Sequence, residues 1–310
     1  MLRQNQIGVR ATMNISTIEG LPNPDELRLE LADRWILSRL QEVIREVSSH
    51  YDNLRLNDAA SAIFQFLWDE YCSWYIELAK DRLREDAPTP VRLTAKYILL
   101  DVMQTAMRLL HPIMPFISEE IWQQIKTLLP LPDEYLVVAA FPIPDEKIID
   151  PSIDDEMRFM QESISAIRNL RKQINLPPAT PASIHIRTAD TAQERLFTDY
   201  AAYFSRLAKV DAITAGTSIA KPKPSVSAVV RNIEIFLPLS GLIDLQAERE
   251  RMGKQIEKLE KELAGISAKL NNQNFTANAK PEIVAKEQEK FAEVNTKLGL
   301  TRQQYQDLAD

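Results

Sequence analysis

Cysteine occurs once in the chain, at Cys72. One thiol cannot build a disulfide framework or a multi-cysteine zinc site, and it suits a reducing, cytoplasmic setting. Glycine is scarce, with seven in 310 residues. Neither a Gly-rich phosphate loop nor a nucleophile elbow is present. The three histidines, His50, His111 and His185, are far apart and lack metal-ligand spacing. Carboxylate pairs such as Glu119–Glu120 are adjacent on one helix, so they point to different faces and cannot converge on one substrate. No apolar run reaches membrane length, so no membrane partner is expected. The N-terminal "MLRQNQIGVRATMNIS" lacks the apolar core of a signal peptide. Positive charge is not in excess, since the net charge is −7. That excludes a basic, nonspecific nucleic-acid coat but leaves local basic faces open, because fields act locally under salt screening.

What is present is apolar periodicity. Apolar residues make up 45% of the chain, enough for a sizeable core and about two domains. From Asp33 to Asp52, Ile36, Leu40, Val43, Ile44, Val47 and Tyr51 fall at helical spacing. Asp33 is the expected cap, its side chain accepting an orphan N–H. Asn57 is the expected cap of the next helix, where Phe64, Leu67, Trp68, Tyr71, Tyr75 and Leu78 form one aromatic stripe. That stripe reads as core; any ring left exposed at the bundle end would stack an unpaired base. Thr89-Pro90 opens a third helix that runs to about Leu110. In "LLHPIMPFISEEIWQQI" a helix ends, two prolines follow, and a fourth helix starts at Pro115. His111 there reads as a helix-end residue favoured by the negative end of the dipole, not as a catalytic group. A fifth long helix runs from Asp150 to about Asn175. Short connections between such helices predict an antiparallel bundle.

After "LPPATPAS" the pattern changes. "SIHIRT" alternates as a strand, "AQERLFTDYAAYFSRLAK" reads as one helix, "VDAIT" as a strand, and "SVSAVVRNIEIFLPL" as two strands around Arg231-Asn232. Then Leu245, Met252, Ile256, Leu259, Leu263, Ile266 and Leu270 follow alternating steps of three and four, with Arg249 in one slot. Past "NNQNFTANAKP", Val284, Phe291, Val294, Leu298 and Tyr305 repeat those steps. The expected fold is mainly α: an antiparallel helical bundle, a small α+β unit, and a C-terminal antiparallel coiled-coil hairpin with arms of roughly 37 Å.

Two basic features point to phosphate. Arg168, Arg171 and Lys172 lie three and four apart, with Arg158 further down the same side of that helix. Lys254, Lys258 and Lys261 form a second stripe at i, i+4, i+7, beside Glu250, Glu257 and Glu260. The competing readings are a solvated helix face for the first and ordinary ion pairing along a coiled coil for the second.

These segments, in this order, resemble the C-terminal part of valyl-tRNA synthetase. "LADRWILSRL", "WDEYCSWYIELAK" and "LLHPIMPFISEEIWQQI" look like the anticodon-binding bundle shared by the valyl, isoleucyl and leucyl enzymes. "AIRNLRKQINLPP", "SGLIDLQAERERMGKQIEKLEKEL" and "KLNNQNFTANAKPEIVAKEQEKF" are similar to the junction and terminal hairpin of the valyl enzyme. The resemblance implies an anticodon-binding bundle at residues 23–176, a linker unit at 177–241 and a tRNA-binding arm at 242–310, with residues 1–22 matching poorly. It implies valine tRNA as partner, together with a catalytic half where that is a separate chain. HIGH-type and KMSKS-type motifs and the editing insertion are absent from this chain. No catalytic residue, metal ligand or cofactor is therefore expected here, ATP and Mg2+ belonging to the full-length enzyme. The alternative is a non-catalytic helical adaptor that binds a protein partner.

Overall fold

Residues 27–242, 245–272 and 281–307 are described by a computed structural model. The segment 1–22, the asparagine-rich turn at 273–280 and the side chain of Leu245 lie outside the described residues. The chain is mainly helical, with a small mixed sheet and a C-terminal helical pair. It forms two compact units, Met1–Gln161 and Glu162–Asp310.

In the first unit, α1 (Leu31–Asp52) buries Ile36, Leu40, Val43, Ile44 and Val47 as its spacing predicts. Asp33 is not its cap. Glu30 is the N-cap, and Asp33 sits at N3, where Oδ2 accepts the Glu30 N–H at 2.9 Å. Asp33 is also fully buried against Arg82, 49 residues later. α2 (Leu56–Gln65) is capped by Arg55 without a side-chain bond, and Asn57 lies inside its first turn.

α2 continues as a π-helical stretch, Phe66–Tyr75, and closes in α3 (Ile76–Ala79). This corrects the single aromatic stripe. The interior line runs through Ala59, Ala62, Ile63 and Phe66, then steps five residues to Tyr71 before reaching Tyr75. Wider turns of that kind re-phase the helix. Ser73 supports the change by donating its hydroxyl to the Trp68 carbonyl at 2.7 Å. Phe64 and Trp68 consequently fall outside the core.

α4 (Thr89–Leu110) and α5 (Pro115–Lys126) meet at the His111 corner. Ser118 Oγ donates to the Met114 carbonyl at 2.7 Å, so His111 Nδ1, 2.8 Å away, is the donor to that oxygen. The histidine is a packing bracket. The segment after α5 is tied back to α1: Asp145 N–H donates to Gln41 Oε1 and Asp150 N–H to Ser38 Oγ, each at 2.9 Å. α6 (Pro151–Gln173) begins in the first unit and ends in the second.

In the second unit four strands, β1 (Ala182–Arg187), β2 (Val210–Gly216), β3 (Ser225–Val230) and β4 (Ile233–Pro238), lie in the order β2-β1-β4-β3. β1 and β2 are parallel, joined through α7 (Thr191–Asp199) and α8 (Ala201–Ala208); the other pairings are antiparallel. The one helix expected here is thus two, broken at Tyr200 (φ −107°). The C-terminal pair is α9 (Leu245–Leu270) and α10 (Pro281–Asp307). Met252, Leu259, Ile266, Val294 and Leu298 are buried. Lys269 meets Glu287, Glu262 meets Lys290 and Glu260 meets Arg302, so the two helices run antiparallel. Arg249, the polar residue in an apolar slot, lies over the Tyr305 ring at 5.4 Å, a cation–π contact that suits the slot.

Two features generate predictions. α1 ends in a turn where the N–H groups of Leu54 and Arg55 reach the carbonyls of Tyr51 and His50, at 3.0 and 2.8 Å. This Schellman geometry favours glycine at Leu54, whose φ is +56°. Leu54→Gly should raise stability by about 1 kcal/mol, read from urea midpoints, because the left-handed conformation penalises a Cβ. A loss of stability contradicts this reading. Separately, burial pushes the Asp101 carboxyl up to about 6, against the opposing Gln104 hydrogen bond and Arg108 charge. The folded state then holds this proton more tightly than the unfolded chain, whose value is about 3.9. Stability tied to this group falls as pH rises from about 4 to about 6, by about 3 kcal/mol. Asp101→Asn should gain that much relative to the parent between pH 4 and pH 7 in denaturant titrations. A pH-independent difference contradicts it.

Candidate nucleic-acid interface

The re-phased α2 presents an outward face of a particular kind. Asn57, Ser61, Phe64, Gln65 and Trp68 are all exposed along it and on into the π-helical stretch, with the carboxylates of Asp58 and Asp69 alongside. Phe64 and Trp68 are 63% and 61% exposed, with ring centroids 6.1 Å apart and planes within 5°. The two rings stack on one another at one helical turn and leave an exposed apolar surface. Gln65 and Asn57 place amide donors and acceptors beside it. Flat rings flanked by neutral amides match the faces and edges of unpaired bases.

The predicted cations divide differently. In the first unit Arg158 is exposed, with the Asp154 carboxylate 4.0 Å away. In the second unit Arg168 and Lys172 are exposed, and Arg168 Nε donates to the Leu207 carbonyl at 2.7 Å. Arg171 is withdrawn from the expected surface stripe: it is 6% exposed and donates to the carbonyls of Pro177 and Thr180 at 3.0 and 2.7 Å. Its place at the C-terminal end of α6, where the chain turns through prolines, gives the guanidinium carbonyls to hold. Burial lowers its pKa from the ordinary guanidinium value.

Lys254, Lys258 and Lys261 are all exposed on α9. Among the described residues none of the three forms an ion pair, while the neighbouring Glu260 is engaged by Arg302 at 2.6 Å on the other helix. The adjacent acidic stripe therefore does not neutralise them. Among the described residues no group of three or more His, Cys, Asp or Glu could hold a metal ion, and no helix is long and apolar enough to cross a membrane.

Phe64 and Trp68 are the residues that sequence reasoning placed in the core. The available signal was their phase: both fall off the Ala59, Ala62, Ile63, Phe66 line.

Comparison with known proteins agrees with this geometry. Residues 33–186 match the anticodon-binding domain of tRNA ligase, and residues 244–309 match the valyl tRNA synthetase tRNA binding arm. The chain is 35% identical to valine–tRNA ligase of Enterococcus faecalis over 92% of its own length and 32% of that protein. It is 35% identical to the enzyme of Psychrobacter arcticus over 95% of its length and 30% of that protein. For the Prochlorococcus marinus enzyme the identity is 35%, over 96% of this chain and 33% of the relative. The chain thus spans about a third of the length of these curated relatives. With the anticodon-binding span and the arm in the same order, the chain belongs to the valyl-tRNA synthetase family, as its C-terminal part.

Proposed function

We propose that this chain is the tRNA-binding portion of a valine–tRNA ligase. The helices of the first unit act as an anticodon-binding bundle, and α9 and α10 act as a coiled-coil arm against the tRNA backbone. The observation that carries this reading is the pair of exposed, parallel rings, Phe64 and Trp68, inside the span that matches an anticodon-binding domain. Unpaired anticodon bases stack on Phe64 and Trp68, and Gln65 and Asn57 meet their edges. The lysines of α9 take phosphates, which position the tRNA without reading it. The names of the relatives support valine specificity. ATP and Mg2+ are handled in the remainder of the enzyme, which supplies the catalytic half.

The test is equilibrium binding of valine tRNA, an anticodon-substituted valine tRNA and an unrelated tRNA across a salt series. Valine tRNA should bind best. Phe64→Ala and Trp68→Ala should each weaken it by roughly 1–3 kcal/mol, the worth of one stacked base, and Gln65→Ala should reduce the anticodon preference. Replacing Lys254, Lys258 and Lys261 together with Gln should instead weaken all tRNAs alike and make the salt slope shallower by up to about three. Equal binding of all three tRNAs by the parent chain would refute anticodon reading. Salt-insensitive association with a protein would favour the adaptor.

A further inference from the structure

The second unit contains a cavity of about 460 Å³ where the C-terminal end of α6 meets the end of α8. Its lining includes Arg168, Arg171, Lys172, Lys209 and Asn175, with apolar walls and no carboxylate. Arg171 is the unusual member. It is only 6% exposed, yet its hydrogen-bond partners are all backbone carbonyls: Pro177, Pro178 and Thr180, and Lys209 at 3.5 Å. Buried charges are ordinarily paired with an opposite charge. Burial correspondingly lowers its pKa, with no carboxylate acting in the other direction.

The carbonyl ends of α6 and α8 supply some negative potential. Two helix C-termini bring roughly one unit of negative charge together. Against Arg171, Lys172 and Lys209, that leaves about two positive charges uncompensated. Lys172 and Lys209 are exposed at the rim, and neither forms an ion pair with a described residue. Lys209 is held in the left-handed region (φ +53°), and its own carbonyl accepts the Ala182 N–H at 3.1 Å. The backbone that carries this lysine is therefore fixed to the sheet.

We propose that this cavity is a phosphate-binding site, with Arg171 as its buried cation and Arg168, Lys172 and Lys209 as its rim. The site rests on the cavity and its charges alone; only the assignment of its phosphate to a tRNA backbone rests on the proposed function. Fixed guanidinium groups with flanking ammonium groups are the donor set that tetrahedral oxyanions take. An RNA phosphodiester and a free phosphate compound share that chemistry, and the test separates them.

The experiment titrates the full chain with inorganic phosphate and pyrophosphate at ionic strength matched by chloride, reading melting temperature and the side-chain 15N resonances of the arginines. The parent should gain melting temperature and shift the Arg171 resonance. The rim variant Lys172→Gln/Lys209→Gln, which leaves the buried arginine in place, should lose both responses while keeping its melting temperature in chloride. No phosphate response in the parent, or an equal response in parent and variant, overturns the site. A rim variant that also binds valine tRNA several-fold more weakly, with a salt slope shallower by about two, assigns the phosphate to RNA. Unchanged tRNA binding with lost phosphate response assigns it to a free phosphate compound. Weakened valine-tRNA binding in Phe64→Ala is a separate readout, so failure of the cavity and failure of the tRNA reading are distinguishable.

Discussion

The first unit depends on one buried carboxylate. Asp33 Oδ1 accepts the Tyr75 hydroxyl at 2.6 Å and Arg82 Nη2 at 2.9 Å; Oδ2 accepts Arg82 Nη1 at 2.5 Å and the Glu30 N–H at 2.9 Å. Four donors on two oxygens leave the charge well satisfied. Burial disfavours the charge on Arg82, but its hydrogen bonds to Asp33 and the nearby negative charge prevail and hold its pKa above the ordinary value. A complete pair of this kind adds little net stability over a hydrophobic one, yet removing one partner costs about 3–5 kcal/mol, because the other charge is left buried. Its consequence is positional. Tyr75 is the last residue of the π-helical stretch, so the network fixes that end of the re-phased helix to the start of α1. The phase of α2 turns Phe64 and Trp68 outward, and the π-helical stretch shifts that phase so that Tyr71 and Tyr75 are buried.

That arrangement separates two tasks by chemistry. In the proposed function, bases meet rings and neutral amides, where stacking is sequence-tolerant and edge contacts discriminate. Phosphates, in the same proposal, meet lysines on α9 that lack partners among the described residues. A chain of net charge −7 can do both, because at physiological salt the Debye length is about 8 Å and each face acts by itself. On α6, Arg168, Arg171 and Lys172 gather at the cavity at its C-terminal end, not along an open stripe. There the cations converge on a space instead of lining an open face.

What was legible in the sequence followed from local periodicity. The apolar positions of α1, the break at Pro112 and Pro115, the strands on either side of Arg231, and the paired steps of three and four in α9 and α10 each depend on near neighbours along the chain. The errors arose from nonlocal partners. An acid ahead of an apolar run looks like a cap; only Arg82 and Tyr75, 49 and 42 residues away, make Asp33 a buried hub. Arg171 keeps step with Arg168 and Lys172 in sequence, but the proline turn that follows brings carbonyls to it. The aromatic stripe was misread because an α-helical period was carried through a stretch of wider turns. At the candidate site, the cations were therefore visible from sequence and the base platform was not.

The most direct measurement is indole 15N NMR of the four tryptophans during titration with a valine anticodon stem-loop. Trp35 and Trp122 are buried at 3% and 1% exposure, whereas Trp68 is 61% exposed. The account predicts a saturable shift of the Trp68 resonance, with Trp35 and Trp122 unmoved, and a much smaller shift with a stem-loop of another anticodon. Saturable binding that leaves Trp68 unmoved, or moves it equally with either stem-loop, would contradict it.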